Sequence, residues 1–316
     1  MRILVTGGAG YIGSILVPML LAEGYRVVVL DNLMYDQDTL LDCIAFYPDR
    51  FDFVPGDTRN PKAIDGIYSK YEPECVIPLA AIVGADACDK SPETSNTVNI
   101  GGVMEACQRW IGSSMPKVIF PNTNSGYGIG QNDIHCSEES PLKPISLYGR
   151  QKVEAERWVL ERGNSIVLRL ATVFGVSPRM RTDLLVNDFV SMAIKPGNIE
   201  LSEKHFIRNY IHVKDVARGF IHCLKNFDKM KGQVYNLGLS DANLSKWELC
   251  EEIRKQIPGL RTYDNESRKD PDQRNYIVSN SKIEATGFMP NYSLQYGIAE
   301  LIKGYQIIRI NKYKNI

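Results

Sequence analysis

The 316-residue sequence is short of the features that would mark a metal, extracellular or membrane protein. It has four histidines, and its seven cysteines (Cys43, Cys75, Cys88, Cys107, Cys136, Cys223, Cys250) are an odd number with no C-x-x-C pair. That leaves no metal-ligand spacing and no disulfide framework, so reduced thiols in a cytoplasmic protein without a bound metal are expected. Charge excess is also missing, with 37 Lys+Arg against 37 Asp+Glu. No overall field draws the chain to nucleic acid or a membrane surface, and an anionic ligand needs local clusters. No apolar run approaches the roughly 20 residues that span a bilayer. The apolar patch Ile12–Ala22 near the start mimics a signal peptide, but its glycines have a better explanation. There is no repeat and no low-complexity tract. What remains is an ordinary globular composition, 44% hydrophobic and 23% charged, in a length suited to one large domain or a large one with a smaller lobe.

Within that composition, strand and helix signals alternate. Ile3-Leu4-Val5 reads as a buried strand that runs at once into Thr6-Gly7-Gly8-Ala9-Gly10-Tyr11-Ile12-Gly13. Glycines at 7, 10 and 13 suit a sharp strand-to-helix turn whose backbone N–H groups receive a pyrophosphate. An apolar helix to Ala22 follows, in which Pro18 should produce a kink. The second strand, Arg26 to Leu30, ends in Asp31, whose carboxylate suits a ribose diol and repels a 2′-phosphate. NAD is therefore favoured over NADP. Further strands are expected at Phe51–Val54, Cys75–Leu79, Lys117–Pro121 and Ile166–Leu170, with a helix over about Thr94–Trp110 carrying Asn99. Asp57, after the third strand, is either a contact to the adenine end of the cofactor or a helix cap. Ala80-Ala81 are small enough for a dinucleotide to lie close. The pattern predicts an α/β fold, a Rossmann-type doubly wound parallel sheet with ligands at the strands' carboxyl ends. A smaller C-terminal α/β lobe should bind substrate, with residues 1–170 forming the dinucleotide domain and 171–316 the lobe. In that lobe, strands are expected at Ile199–Leu201 and Asn209–Val213 and helices near Val216–Asn226, Ser245–Gln256 and Leu294–Ile310. Arg261–Asn275 reads as a polar loop.

The chemistry concentrates between Lys117 and Lys152. Thr123 follows an apolar run, and Tyr148 and Lys152 are four apart, so they share a helix face. A nearby ammonium favours the ionised phenol and makes tyrosine a usable base. Taken alone, Y-x-x-x-K is a weak signal, more often a surface coincidence.

Together, Thr6-Gly7-x-x-Gly10-x-x-Gly13, Asp31, Asp57, Leu79-Ala80-Ala81, Thr123, Tyr148-x-x-x-Lys152 and Arg208-Asn209-Tyr210-Ile211-His212-Val213 resemble the extended short-chain dehydrogenase/reductases that act on nucleotide sugars. The stretches Phe120–Gly130, Pro178–Asn187 and Asp270–Arg274 look like a capsule-pathway branch of that family, which includes an enzyme oxidising C4 of GDP-D-glycero-D-manno-heptose. The resemblance implies that Tyr148 takes the proton of the sugar 4-hydroxyl and Thr123 orients it, while Lys152 tunes the phenol and holds the nicotinamide ribose. Gly7, Gly10, Tyr11, Ile12, Gly13, Asp31, Asn32, Asp57, Leu79, Ala80, Ala81 and Asn99 would hold the rest of NAD. Asn124, Thr172, Arg179, Arg181, Asn187, Arg208 and Arg274 would meet the substrate, the arginines through forks that pair two phosphate oxygens. Related 4,6-dehydratases carry one or two acids directly after the threonine. Here Asn124 and Ser125 stand there, and neither protonates a leaving hydroxyl. Thr172 replaces an asparagine common in relatives. Oxidation of a nucleotide sugar, a GDP-manno-heptose foremost, to its 4-keto form is expected. A UDP-hexose-type 4-epimerase is the alternative, and a non-catalytic dinucleotide sensor is a third reading. The resemblance also implies a homodimer through the helices near Thr94–Trp110 and Tyr148–Glu161, with Val153, Trp158 and Val159 as apolar surface.

Overall fold

The structure, a computed structural model, describes residues 1–110, 112, 114–129, 135–265 and 275–308. Among these, the strands are β1 (Arg2–Thr6), β2 (Arg26–Asp31), β3 (Phe51–Pro55), β4 (Cys75–Pro78), β5 (Lys117–Thr123), β6 (His135–Cys136), β7 (Ser165–Leu170), β8 (Thr172–Phe174), β9 (Asn198–Leu201), β10 (Ile207–His212), β11 (Gln233–Leu237), β12 (Asn243–Ser245), β13 (Arg261–Asp264) and β14 (Ile277–Val278). The chain divides into two compact units, each assembled from three stretches. The first holds Met1–Asn122, Leu147–Leu168 and Ala217–Val234, and the second holds Thr123–Ser146, Arg169–Val216 and Tyr235–Ile316.

The seven-stranded sheet has the order β11-β7-β5-β4-β1-β2-β3. Within it β1 pairs with β2 and β4, β2 with β3, and β4 with β5, all in parallel. This is the expected doubly wound, Rossmann-type sheet, with the strand order reversing between β1 and β4. Leu4, Val28, Val76, Val118, Phe120 and Val167 supply one buried face. Helix Pro61–Tyr71 covers that face with Ile64, Ile67 and Tyr68, and helix Leu147–Arg162 adds Ala155 and Val159. Val159 and the partly buried Trp158 are thus spent on this core, and Val153 is buried as well.

One sequence expectation changes here. The helix near Thr94–Trp110 is three pieces: Pro92–Asn96, a wider π turn at Thr97–Gly102, and Val103–Cys107. At the end of that turn the Thr58 hydroxyl donates to the Gly102 carbonyl (3.1 Å), and a Cβ on Gly102 would lie 2.5 Å from Thr58 Cγ2. A π turn admits a hydroxyl and a close neighbour that a regular turn would not. Helix Gly13–Ala22 carries Pro18 inside it.

The second unit contains a three-stranded sheet, β12-β10-β8, and the parallel pairs β13–β9 and β14–β6. Strand β13 occupies the start of the stretch expected as a polar loop. The final helix closes at Gly304, short of the expected Ile310. It is tied to β10 by Glu300, which meets His212 Nε2 (2.9 Å), the Lys214 ammonium and the Val176 N–H (2.9 Å). Asp215 accepts from the N–H groups of Asn291 and Tyr292. The His212 and Asp215 side chains of the Arg208–Val213 segment and its extension are therefore anchors for the C-terminal stretch.

Candidate active site

In the first unit the glycine turn is built as its sequence requires. Gly7 has φ +69°, and a Cβ there would sit 2.5 Å from the Ala80 nitrogen. A Cβ on Gly13 would sit 2.4 Å from the Gly8 carbonyl oxygen. Only glycine permits either approach. The loop packs directly on the backbone after β4, which is where Leu79, Ala80 and Ala81 lie. Asp31 closes the turn from β2. Its Oδ2 accepts from Ala9 N–H and its Oδ1 from Leu33 N–H, each at 2.9 Å. Burial pushes its carboxyl pKa up, and those backbone N–H groups oppose the shift.

Asn32 accepts from Met34 N–H. Asp57 takes a two-pronged ion pair from Arg59, at 2.9 and 2.7 Å, which holds its pKa below the usual carboxylate range. Asp57 is not the cap of the next helix, since Asn60 accepts from Lys62 N–H there. Asn99 sits in the π turn with its carboxamide committed: Oδ1 accepts from Ile82 N–H (2.8 Å), and Nδ2 donates to Ile82 O (3.0 Å) and Gln151 Oε1 (2.8 Å). It thus fastens the chain beyond Ala80-Ala81 to the helix that carries Tyr148 and Lys152.

On that helix Tyr148 is half-buried and Lys152 is 3% exposed, its ammonium 4.1 Å over the face of Phe120. Burial lowers the Lys152 pKa to about 7, and the Glu156 carboxylate pulls the other way. Glu156, one turn further along, is itself 3% exposed and receives the Asn122 amide. The Asn122–Glu156 pair was not anticipated, although the spacing 148, 152, 156 was a signal for it. Strand β5 therefore meets the helix through Phe120 and Asn122, and Thr123 is the strand's last residue.

In the second unit Thr123 caps a short 3-10 turn, Asn124–Tyr127. Its Oγ1 accepts from Ser125 N–H (3.1 Å) and pairs with Ser125 Oγ (2.9 Å). Tyr127 is buried and bonded to Asn236 Oδ1 and Arg169, with its phenol pushed up to about 12 by burial. Arg181 holds Asp183 in a forked ion pair, and Asn187 accepts from Gly175 N–H while donating to Arg181 O. Arg179 donates to Met180 O, and Arg208, 2% exposed, donates to Ile207 O. Thr172 pairs with Tyr210 between β8 and β10. Arg274 lies outside the described residues.

A strand, glycine turn and helix closed by an acid at the end of β2, with Y-x-x-x-K on a helix of the same unit, narrow the family. The model of the NAD dependent epimerase/dehydratase family matches residues 3–238. The chain belongs to this family. Its relatives include UDP-glucose 4-epimerase 1 of Oryza sativa subsp. japonica, 29% identical over 75% of this chain and 75% of its own length. CDP-paratose 2-epimerase of Salmonella typhi is 26% identical over 95% of this chain and 98% of its own. The crystal structure of a UDP-glucose 4-epimerase from Thermotoga maritima with UDP-glucose aligns at TM-score 0.85 and 25% identity, covering 97% of this chain and 99% of that one. The protein is an NAD-dependent enzyme of the extended short-chain dehydrogenase/reductase type, from a family that works on nucleotide sugars. Among the described residues no helix is long and apolar enough to cross a membrane.

Proposed function

We propose that the protein oxidises the C4 hydroxyl of a nucleotide-activated sugar, with Tyr148 as base, Lys152 as its electrostatic partner and Thr123 orienting the alcohol. The observation that carries this reading is the stripe Tyr148–Lys152–Glu156. A lysine withdrawn from water, held against Phe120 and with Glu156 opposing the effect of burial on its charge, serves a phenol one turn away better than it serves stability. The glycine turn, Asp31 and the backbone at Leu79–Ala81 fit a dinucleotide, because Gly7 and Gly13 leave spaces that any Cβ would fill with a clash. Bound NAD supplies the hydride acceptor. Tyr11, Ile12, Asn32, Asp57 and Asn99 complete its contacts in this reading. Arg179, Arg181, Asn187, Arg208 and Arg274 hold the nucleotide diphosphate, and Asn124 and Thr172 meet the sugar.

Asn124 and Ser125 leave no acid beside Thr123 to expel water, so the 4-keto sugar is the end of the forward chemistry or a stage on the way to an inverted alcohol. The motifs at Phe120–Gly130 and Pro178–Asn187 favour release of a 4-keto GDP-manno-heptose for capsule polysaccharide. The epimerases among the relatives favour the second outcome, 4-epimerisation with NAD retained. Incubation with NAD and a panel of GDP-, UDP-, CDP- and TDP-sugars, read by mass, separates them. Loss of two hydrogens marks the dehydrogenase, and unchanged mass with altered stereochemistry marks the epimerase. Loss of water would overturn the argument from Asn124 and Ser125. Tyr148→Phe should abolish turnover while leaving NAD bound, and turnover at the wild-type rate would refute the assignment of the base. A cytoplasmic homodimer is part of the same proposal, and sedimentation showing only monomer would remove the dimer from it.

A further inference from the structure

Gln151 lies between Tyr148 and Lys152 in sequence, but on the helix it is turned about 100° from Lys152. Lys152 lies over Phe120 of β5, whereas Gln151, 2% exposed, is buried against the π turn. Both ends of its carboxamide are committed. Oε1 accepts from Asn99 Nδ2 at 2.8 Å, and Nε2 donates to Ser95 Oγ at 2.9 Å. Ser95 Oγ in turn donates to Pro92 O at 2.9 Å, and Asn99 holds the N–H and the carbonyl of Ile82, the residue after Ala81. A continuous polar chain thus runs Pro92–Ser95–Gln151–Asn99–Ile82, with its three side chains buried.

Apolar side chains would fill this space as well. Two carboxamides bonded at both ends add direction, and so admit one register of the helix against the turn. The chain begins beside the backbone at Ala80 on which Gly7 packs and ends on the helix that carries Tyr148. Tyr148 stands in the first turn of that helix, where the backbone ladder is incomplete. Reaction between bound groups asks for atoms about 3–3.5 Å apart, and a misplacement of about 1 Å costs about a hundredfold in rate. We propose that Gln151 is a positioning residue of the reaction. Acting through Asn99, it fixes the Tyr148–Lys152 helix in register with the backbone at Ala80–Ile82, against which the cofactor lies. This rests on the reading of Tyr148 as base and of Leu79–Ala81 as part of the NAD site.

The test compares the full-length wild type with Gln151→Met, which keeps the length of the side chain and removes both polar atoms. NAD is supplied with UDP-glucose or GDP-mannose, whichever is turned over faster. Gln151→Met should lower kcat roughly tenfold to a hundredfold, while KM for the nucleotide sugar and Kd for NAD stay within about twofold. The cofactor side is spared because Asn99 keeps its two bonds to Ile82. Deuterium at C4 of the sugar should slow the variant at least as much as the wild type, since hydride transfer is the step that misplacement slows. Ser95→Ala breaks the same chain one link further out and should lose part of kcat, and the double variant should be no slower than Gln151→Met alone. Should Gln151→Met fail to fold, Ser95→Ala decides by the same split. A kcat within about twofold of the wild type overturns the proposal, and so does a loss of kcat matched by an equal loss of NAD affinity, which marks a general loosening of the unit. Wild-type turnover by Tyr148→Phe, or no turnover of either nucleotide sugar by the wild type, overturns the reading of the base and this proposal with it.

Discussion

Removal of the buried charge at position 152 should make the cofactor-free protein more stable, with a pH dependence that follows from the site. Lys152 is 3% exposed, and burial lowers its pKa to about 7 from the 10.5 of the exposed side chain. Below about pH 7 the folded and unfolded chains both carry the ammonium, and the full cost of burying it is present. Between pH 7 and 10.5 the unfolded chain holds a proton that the folded chain has lost, so wild-type stability rises with pH. Lys152→Met has no such titration. The stability advantage of the variant should therefore be largest near neutral pH and shrink by about 1.4 kcal/mol per pH unit above it, roughly 3 kcal/mol between pH 7 and 9.5. The difference between two urea titrations at each pH reads the lysine together with its coupling to Glu156. NAD-dependent turnover should be lost in the variant at all these values. A difference that is flat across this range would refute the burial of a charged Lys152.

Other perturbations test the supports of the same site. Asp31→Ala leaves the N–H groups of Ala9 and Leu33 without their acceptor; thermal melts should show a loss of about 2 kcal/mol. In the same variant, the ratio of kcat/KM for NAD over NADP should fall at least about tenfold, because the charge that repels a 2′-phosphate is gone. Glu300→Gln tests the anchor of the final helix. Burial would raise the Glu300 pKa, but His212, Lys214 and the Val176 N–H hold it down at about 2, against 4.5 unperturbed. Its contribution is therefore present above pH 4.5 and lost as pH falls toward 2. Urea unfolding should show Glu300→Gln less stable by about 3 kcal/mol at pH 7, with the gap closing toward pH 2.5. A gap independent of pH would mean that the carboxylate is not what ties the helix to β10.

The parts of this fold that local sequence specifies were readable, and the parts that depend on distant pairing were not. Strand β1, the glycine turn and Asp31 could be placed because a left-handed φ at Gly7 and a contact at Gly13 closer than any Cβ allows leave a compositional mark. Strand β11 left none. Gln233-Val-Tyr-Asn-Leu is too short and too polar to stand out, and becomes the seventh strand of the sheet only by lying next to β7. Strand β13 is hidden for the same reason, since Arg261-Thr-Tyr-Asp is polar throughout and owes its conformation to β9. The π turn at Thr97–Gly102 ends against Thr58, some forty residues earlier, a contact that no local pattern announces. The arginines expected at the diphosphate illustrate a different limit. Composition identifies a guanidinium, but not that Arg181 already grips Asp183 two residues on.

The same contrast explains why the stripe at 148, 152 and 156 is stronger than its first two members. Helical spacing alone makes Tyr148 and Lys152 neighbours, which a surface helix would do equally well. What distinguishes this helix is the strand it lies against. Phe120 faces the ammonium, Asn122 reaches the Glu156 carboxylate, and the next residue of the strand is Thr123. A lysine in water would contribute little to the acidity of a phenol, because solvent screens it at an effective dielectric near 80. Withdrawn from water, the same charge acts at several times that strength, but burial also weakens its hold on the proton. Glu156 opposes that loss in part, and Asn122 keeps it in place. In the proposed roles, the sequence pattern supplies the base and its partner, and the packing of β5 on the helix is what would give the partner enough field to matter.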